Sequence, residues 1–310
     1  MSERKEHILV VLTPPRPEFV KEFETIAKDA ASIIAELPYG ELINEFLQGS
    51  LPVDDALLEL ELDYPFFTRE LLLCLRRLKE NGKDILLVDP YQEIAVDIKV
   101  KLFLRKGLEK LEQDLTARYI AMIELSISKI LQEYEKARKD GDFDKLVELT
   151  IRYAKFDAER IRFKTELRVR KIIELINMKA VKFPLVVHTH FLNRLIAQEL
   201  QKRLGDKYEI SEIDLYEIVQ KRLNMASFEH PGRKLTEVFL LHRNITREEL
   251  QFLAAKTLLF VTLYPKHELL PTPTEPFPML KKDFEISKML SNVSNIEECK
   301  NLYQRLTQKP

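Results

Sequence analysis

Glycine is scarce in this 310-residue chain: there are seven, along with two cysteines and no tryptophan. Neither a G-x-G-x-x-G turn nor a Walker A loop is present, so nicotinamide, flavin and P-loop nucleotide chemistries are not expected. G-x-S-x-G is missing as well, which argues against an ordinary serine α/β-hydrolase. Cys74 and Cys299 lie far apart without a C-x-x-C companion. That argues against a disulfide framework and a thiolate metal site, and points to a reducing compartment. No apolar run approaches the ~18 residues of a membrane span. The N-terminal MSERKEHILVVL passes from charge directly into a strand pattern, without a signal-peptide core. A soluble, cytoplasmic protein with no membrane attachment is expected. Charge of one sign is lacking too: 49 Lys+Arg against 50 Asp+Glu leave a net −1, so no global field attracts nucleic acid.

What is present is 45% hydrophobic and 32% charged residues, enough for a real core, in a loop-poor composition that resembles thermophile proteins. The stretch FPLVVHTHFLNRLIAQELQKRL, residues 183–204, changes period in the middle. Phe183 to Val187 has the continuous branched pattern of a buried parallel strand, and Leu192, Leu195, Ile196, Leu200 and Leu204 recur at helical spacing. His188 and His190 are therefore expected at a strand-to-helix turn. Ligands bind at such carboxyl strand ends in open α/β sheets, although a histidine there is also an ordinary structural residue.

Further strands are expected at His7 to Leu12, Ala31 to Ala35 and Asp84 to Val88, with helical segments between them. This β-α-β-α-β rhythm predicts an α/β fold with a mostly parallel sheet flanked by helices. Residues 94–179 show only helical periodicity, broken near Lys139 to Asp142, and are expected to form a long helical insertion projecting as an arm. The arm's charges, including Lys155, Arg162 and Lys164, are expected to be a solvated face. Residues 1–93 and 180–270 would form the core domain, and 271–310 a proline-rich strap with short helices. Tyr208 to Ile210 predicts a short edge strand, Ser211 to Asp214 a helix-capping signal, and Glu237 to His242 another strand. Thr246 to Glu249 predicts a capping box. The two N-x-S/T sequons at Asn244 and Asn292 read as helix caps. Apolar residues such as Phe103, Leu104, Leu108, Ile120, Ile123, Leu125 and Ile127 are expected to make a homo-oligomer interface through the arm.

In a parallel sheet, turns after the strands share one edge, so Thr13, Arg16, Glu36, Glu41, Asp89, Glu93, His188 and His190 should converge there. Carboxylates and imidazoles together suit acid–base catalysis or a hard-metal site, but no H-E-x-x-H or comparable spacing identifies a metal.

The order of these motifs resembles the superfamily that contains TraB and TIKI proteins, erythromycin esterase and the ChaN haem-binding proteins. IIAELPYGE carries Glu36, ELRVRKIIELI carries Arg168, PLVVHTHF carries His190, and LLVDP carries Asp89. Where that superfamily has Gly-x-x-His after the first strand, this chain reads Leu12-Thr13-Pro14-Pro15. The resemblance spans roughly residues 7 to 205. It implies a hydrolase-like site in which His190 or Glu36 activates water, Arg168 neutralises anionic charge and Asp89 or Glu93 orients a histidine or metal. A divalent ion held by His188, His190 and Glu36 is a candidate cofactor. The alternative is a non-catalytic protein that keeps the fold and binds a small molecule, peptide or partner after losing the first motif.

Overall fold

The computed structural model describes residues 5–60, 63–104, 113–226, 228 and 230–307. The chain divides into two compact units. The first comprises Met1–Glu93, Lys164–Ala226 and Glu268–Pro278; the second comprises Ile94–Phe163, Ser227–His267 and Met279–Pro310.

The first unit is α/β. Its strands are β1 (Glu6–Thr13), β2 (Ser32–Ala35), β3 (Asp84–Leu87), β4 (Leu185–His190) and β5 (Tyr208–Asp214). All pair in parallel, in the order β3-β2-β4-β1-β5. The apolar runs of β1 and β2 belong to strands covered on both faces, and Ile8, Val10, Val11, Leu12, Ile33 and Ile34 are fully buried. A short 3₁₀ turn and α1 (Val20–Ala27) follow β1, and α2 (Glu41–Leu47), α3 (Val53–Leu57) and α4 (Pro65–Glu80) follow β2. These two crossovers step one way across the sheet. Those from β3 to β4 and from β4 to β5 step the other way, so right-handedness puts their helices on the opposite face. The chain thus leaves β1 and β4, which are neighbours, towards different faces. The gap between their carboxyl ends is a topological switch point, and β2 parts from its neighbours β4 and β3 in the same way.

Among the described residues, α5 (Pro90–Leu104), α6 (Leu115–Asp140) and α7 (Phe143–Asn177) follow β3. Gly141, at φ 69, takes the left-handed position that stops α6 and lets α7 begin almost at once. From Lys164 onward α7 belongs to the first unit, where Val169 and Ile172 pack with Ile196 and Leu200 of α8 (Leu195–Leu204) on Val10 and Val187. Each such side chain contributes roughly 1.5–3 kcal/mol by burial. Helix α9 (Leu215–Arg222) follows β5.

The second unit is helical among its described residues. It contains α6, the first part of α7, α10 (Pro231–Leu240), α11 (Arg247–Leu263), α12 (Pro278–Ser291) and α13 (Ile296–Thr307). Leu146, Leu149, Leu235, Leu258, Leu259 and Ile286 sit in its core. No helix of the described residues is long and apolar enough to cross a membrane.

Several expectations need correction. Strand β4 runs on through His190, so both histidines lie within the strand rather than in the turn after it. Strand β5 is longer than expected because β1 offers it a full parallel edge from Glu6 to Leu12. Ser211 is therefore in the strand, and Asp214 alone caps α9 by accepting the Tyr216 N–H at 3.0 Å. Residues 237–242 are not a strand. Their short apolar run fits either period, and Pro231 at the first turn with His230 as cap begins a helix instead. Residues 227–267 and 279–310 group with 94–163, while the strap Glu268–Pro278 stays with the sheet, where Glu268 accepts the N–H groups of Phe66 and Phe67. Ile120, Ile123 and Ile127 are buried, not an exposed patch, whereas Leu125 is exposed. Leu108 and the side chains of Phe103 and Leu104 lie outside the described residues.

The capping box is present: Thr246 accepts the Glu249 N–H, and Glu249 accepts the Thr246 N–H. Thr246→Ala should lower stability by about 1 kcal/mol in urea unfolding. An unchanged midpoint would mean that tertiary packing alone holds this end of α11.

Candidate functional site

Parallel strands deliver their carboxyl ends to one edge. Glu36 follows β2, Val88 and Asp89 follow β3, Thr189 and His190 end β4, and Thr13 ends β1. Helix α7 adds Lys164 and Arg168, one turn apart and so on one face.

Arg168 is 0% exposed. Its Nε donates to the Val88 carbonyl at 2.9 Å, one Nη to Glu36 Oε2 at 2.8 Å and the other to the His188 carbonyl at 2.6 Å. One guanidinium therefore binds the ends of β3, β2 and β4, three adjacent strands. The planar fork of donors suits this; an ammonium could not span them. Glu36 completes the link, its Oε2 also accepting the Thr189 hydroxyl and the His190 N–H at 2.7 Å. Lys164 Nζ bridges Glu36 Oε1 and Asp89 Oδ2, each at 2.8 Å. Asp89 Oδ1 accepts the Gln92 N–H in the first turn of α5.

Two carboxylates thus meet two cations, and the buried cluster is neutral. Burial works against the charge of Glu36, but Lys164, Arg168 and His190 outweigh it and hold its pKa well below the usual 4.5. Burial likewise opposes the Lys164 charge, and Asp89 and Glu36 together raise its pKa above 10.5. Glu36 is therefore a fixed anion with both oxygens engaged. It is a poor proton acceptor, because protonation would break several charge-assisted bonds at once.

His188 differs. Its ring packs edge-on against Phe23 at 4.7 Å, and neither ring nitrogen has a hydrogen-bond partner among the described residues. Burial pushes its pKa down to about 3, so the ring is neutral. The Thr13 hydroxyl, at the end of the adjoining strand, is buried without a partner as well. His190, half-buried at the switch point, pairs in register with Thr13. Its Nδ1 accepts the Leu192 N–H at 3.3 Å, which puts the proton of the neutral ring on Nε2.

The residues proposed from sequence fall as follows. Glu36, Asp89 and Arg168 join one network, and His190 touches it through its backbone. His188 gives Arg168 its carbonyl, while its ring lies against Phe23. Of the set His188, His190 and Glu36, the Glu36 oxygens accept from Arg168 and Lys164, and no group of three or more His, Cys, Asp or Glu placed to hold a metal occurs among the described residues. Glu93 accepts the Tyr39 N–H, Glu41 is exposed in the first turn of α2, and Arg16 is buried with its guanidinium 5.7 Å from the Tyr216 ring. Lys164, expected on a solvated face, is instead the second cation of the cluster. Its position four residues before Arg168 was the signal available in the sequence.

Stability should depend on pH through His188. Unfolded, this ring titrates near its ordinary 6.5; folded, near 3. Between those values the unfolded state binds the extra proton, so stability is full above 6.5 and falls with acidification, at up to about 1.4 kcal/mol per pH unit. Glu36 adds a further loss below its ordinary 4.5, in the same direction. His188→Leu should flatten the decline between about pH 6.5 and 5 in urea unfolding. Equal declines in both proteins would assign the acid sensitivity to other groups. Arg168→Met, which leaves Glu36 buried without its main partner, should cost about 3–5 kcal/mol.

An uncharacterized protein of Archaeoglobus fulgidus is 25% identical over 296 residues, covering 96% of this chain and 97% of that protein. No family model and no solved structure matches the chain.

Proposed function

We propose that the first unit is a ligand-binding α/β unit of the hydrolase-like plan, with a small molecule entering at the switch point beside His190. The Glu36, Asp89, Lys164 and Arg168 cluster would form its rigid floor. One observation carries this reading: the Glu36 carboxylate accepts from Lys164, Arg168, Thr189 and the His190 backbone. A carboxylate so committed neither takes a proton from water nor offers a lone pair to a metal. Thr13, where the resembled superfamily has its first motif, brings only a hydroxyl.

A second reading, hydrolysis with His190 as base, is favoured by the meeting of Glu36, Asp89, Arg168 and His190 from four segments at one edge. The TraB and TIKI resemblance implies that set. The two readings part on His190→Ala. For a hydrolase, turnover of generic ester, lactone or peptide substrates, with Mn²⁺ or Zn²⁺ supplied, should fall by about 10² or more with the fold intact. For a binding unit, no substrate turns over, and a metabolite that raises the melting temperature of the wild type should raise that of His190→Ala less. A compound library without any stabiliser that depends on His190 would overturn the binding reading.

We also infer self-association through α6, where Leu115, Met122 and Leu125 are exposed at helical spacing. Light scattering that gives a monomer mass at all concentrations would refute it. Two free, buried cysteines, whose thiols burial pushes up to about 12 (Cys74) and about 11 (Cys299), support a reducing cytoplasmic setting.

A further inference from the structure

The second unit holds a cleft of about 410 Å³ that has no residue in common with the strand-end site. One wall is α7, which supplies Lys155, Glu159 and Arg162 at i, i+4 and i+7, a single helical face. The other is the end of α10 with its following loop, where Phe239, His242 and Arg243 lie. The volume is that of a small-molecule site.

Charge in this cleft is out of balance. Elsewhere on α7, Arg152 pairs with Glu133, Arg160 with Asp157, Lys164 with Glu36 and Asp89, and Arg170 with Glu166. Lys155 and Arg162 have no carboxylate within ion-pair distance among the described residues. Arg162 donates to the Phe239 and Leu240 carbonyls, the latter at 3.5 Å, through Nη2 and Nε. This caps the carbonyl end of α10 and fixes the guanidinium, while Nη1 keeps no partner among the described residues. Among the described residues the acid paired with Arg243 is Glu237, at 3.6 Å, and with the Arg243 side chain exposed the pair is worth little in water. Glu159, the acid in the cleft, lies 3.5 Å from the Tyr119 hydroxyl.

His242 adds a second feature. At φ 50 it holds the left-handed position after α10, with the Arg243 N–H closing the turn on the Val238 carbonyl at 2.9 Å. Glycine is the usual residue there, because a Cβ strains this backbone. Lys179 and Asn224 also have positive φ in this glycine-poor chain, so conformation alone singles out nothing. His242 is distinguished by lining a cationic cleft.

We propose that this cleft binds a phosphate-bearing small molecule of the mononucleotide class, independently of the reading of the first unit. Lys155 and the free arm of Arg162 take the phosphate, whose several oxygens match donors converging from separate elements. His242 and Arg243 close the rim, and Phe239 with Val238 gives the body of the ligand an apolar wall.

Calorimetry on the full chain with AMP and with inorganic phosphate tests this. AMP should bind, more tightly than phosphate, and more weakly as salt is raised. Lys155→Glu should weaken AMP by about tenfold or more, the equivalent of one charge-assisted contact. His242→Gly should raise the melting temperature, because the strained turn relaxes, and yet weaken AMP binding. A merely structural histidine would give the first effect without the second. The proposal is overturned if AMP does not bind at millimolar concentration, if both variants bind it like the wild type, or if AMP binds no more tightly than phosphate.

Discussion

The guanidinium of Arg168 is the interaction on which the first unit's site depends. It reaches from α7 to the carboxyl ends of β3, β2 and β4, and through Glu36 it fixes the backbone of His190. A charge so fully removed from water is tolerable only when every donor is satisfied and an anion lies in contact. That requirement explains the rest of the cluster. Glu36 answers Arg168, Lys164 answers the remaining oxygen of Glu36, and Asp89 answers Lys164. Acids and bases alternate through the cluster, and the set as a whole carries no net charge.

Neutrality and saturation also limit what the cluster does chemically. Every carboxylate oxygen in it accepts from a donor inside the protein, and those bonds tie the strand ends together. Beside it, among the described residues, the Thr13 hydroxyl at the end of β1 and the His188 ring, two residues inside β4 against Phe23, are buried without hydrogen-bond partners, and His190 at the end of β4 is half-exposed. Buried polar atoms without partners cost stability, and here that cost falls at and near the carboxyl ends of β1 and β4.

Helix α7 carries two kinds of cation. Lys164 and Arg168 are matched by acids that lie far away in sequence but at the same sheet edge, and they build structure. Lys155 and Arg162, nearer the start of the helix, face a cleft whose acid is Glu159, and they leave positive charge unspent. Residue type is the same in both cases, and each pair shares one helical face, four residues apart in the first and seven in the second. The partners differ, and with them the role.

The sequence by itself determined β1, β2, β3 and the buried start of β4, their parallel connectivity and the sharing of one edge by the turns after Ala35, Val88 and β4. Those features follow from local hydrophobic period and crossover handedness. It also determined the Thr246 capping box, since a cap is made within four residues. Only the tertiary structure decided that residues 231–240 are helical and that β5 is long, because a short apolar run fits either period until a neighbour is present to pair with it. It alone decided that Lys164 is drawn partly buried into the cluster while Lys155 stays exposed: a helix repeats its faces every turn, and nothing local says which face meets the sheet. The same holds for Glu36. As a residue after a strand it could be a base, a ligand or an anchor, and it became an anchor because Arg168, 132 residues away, lies within 2.8 Å.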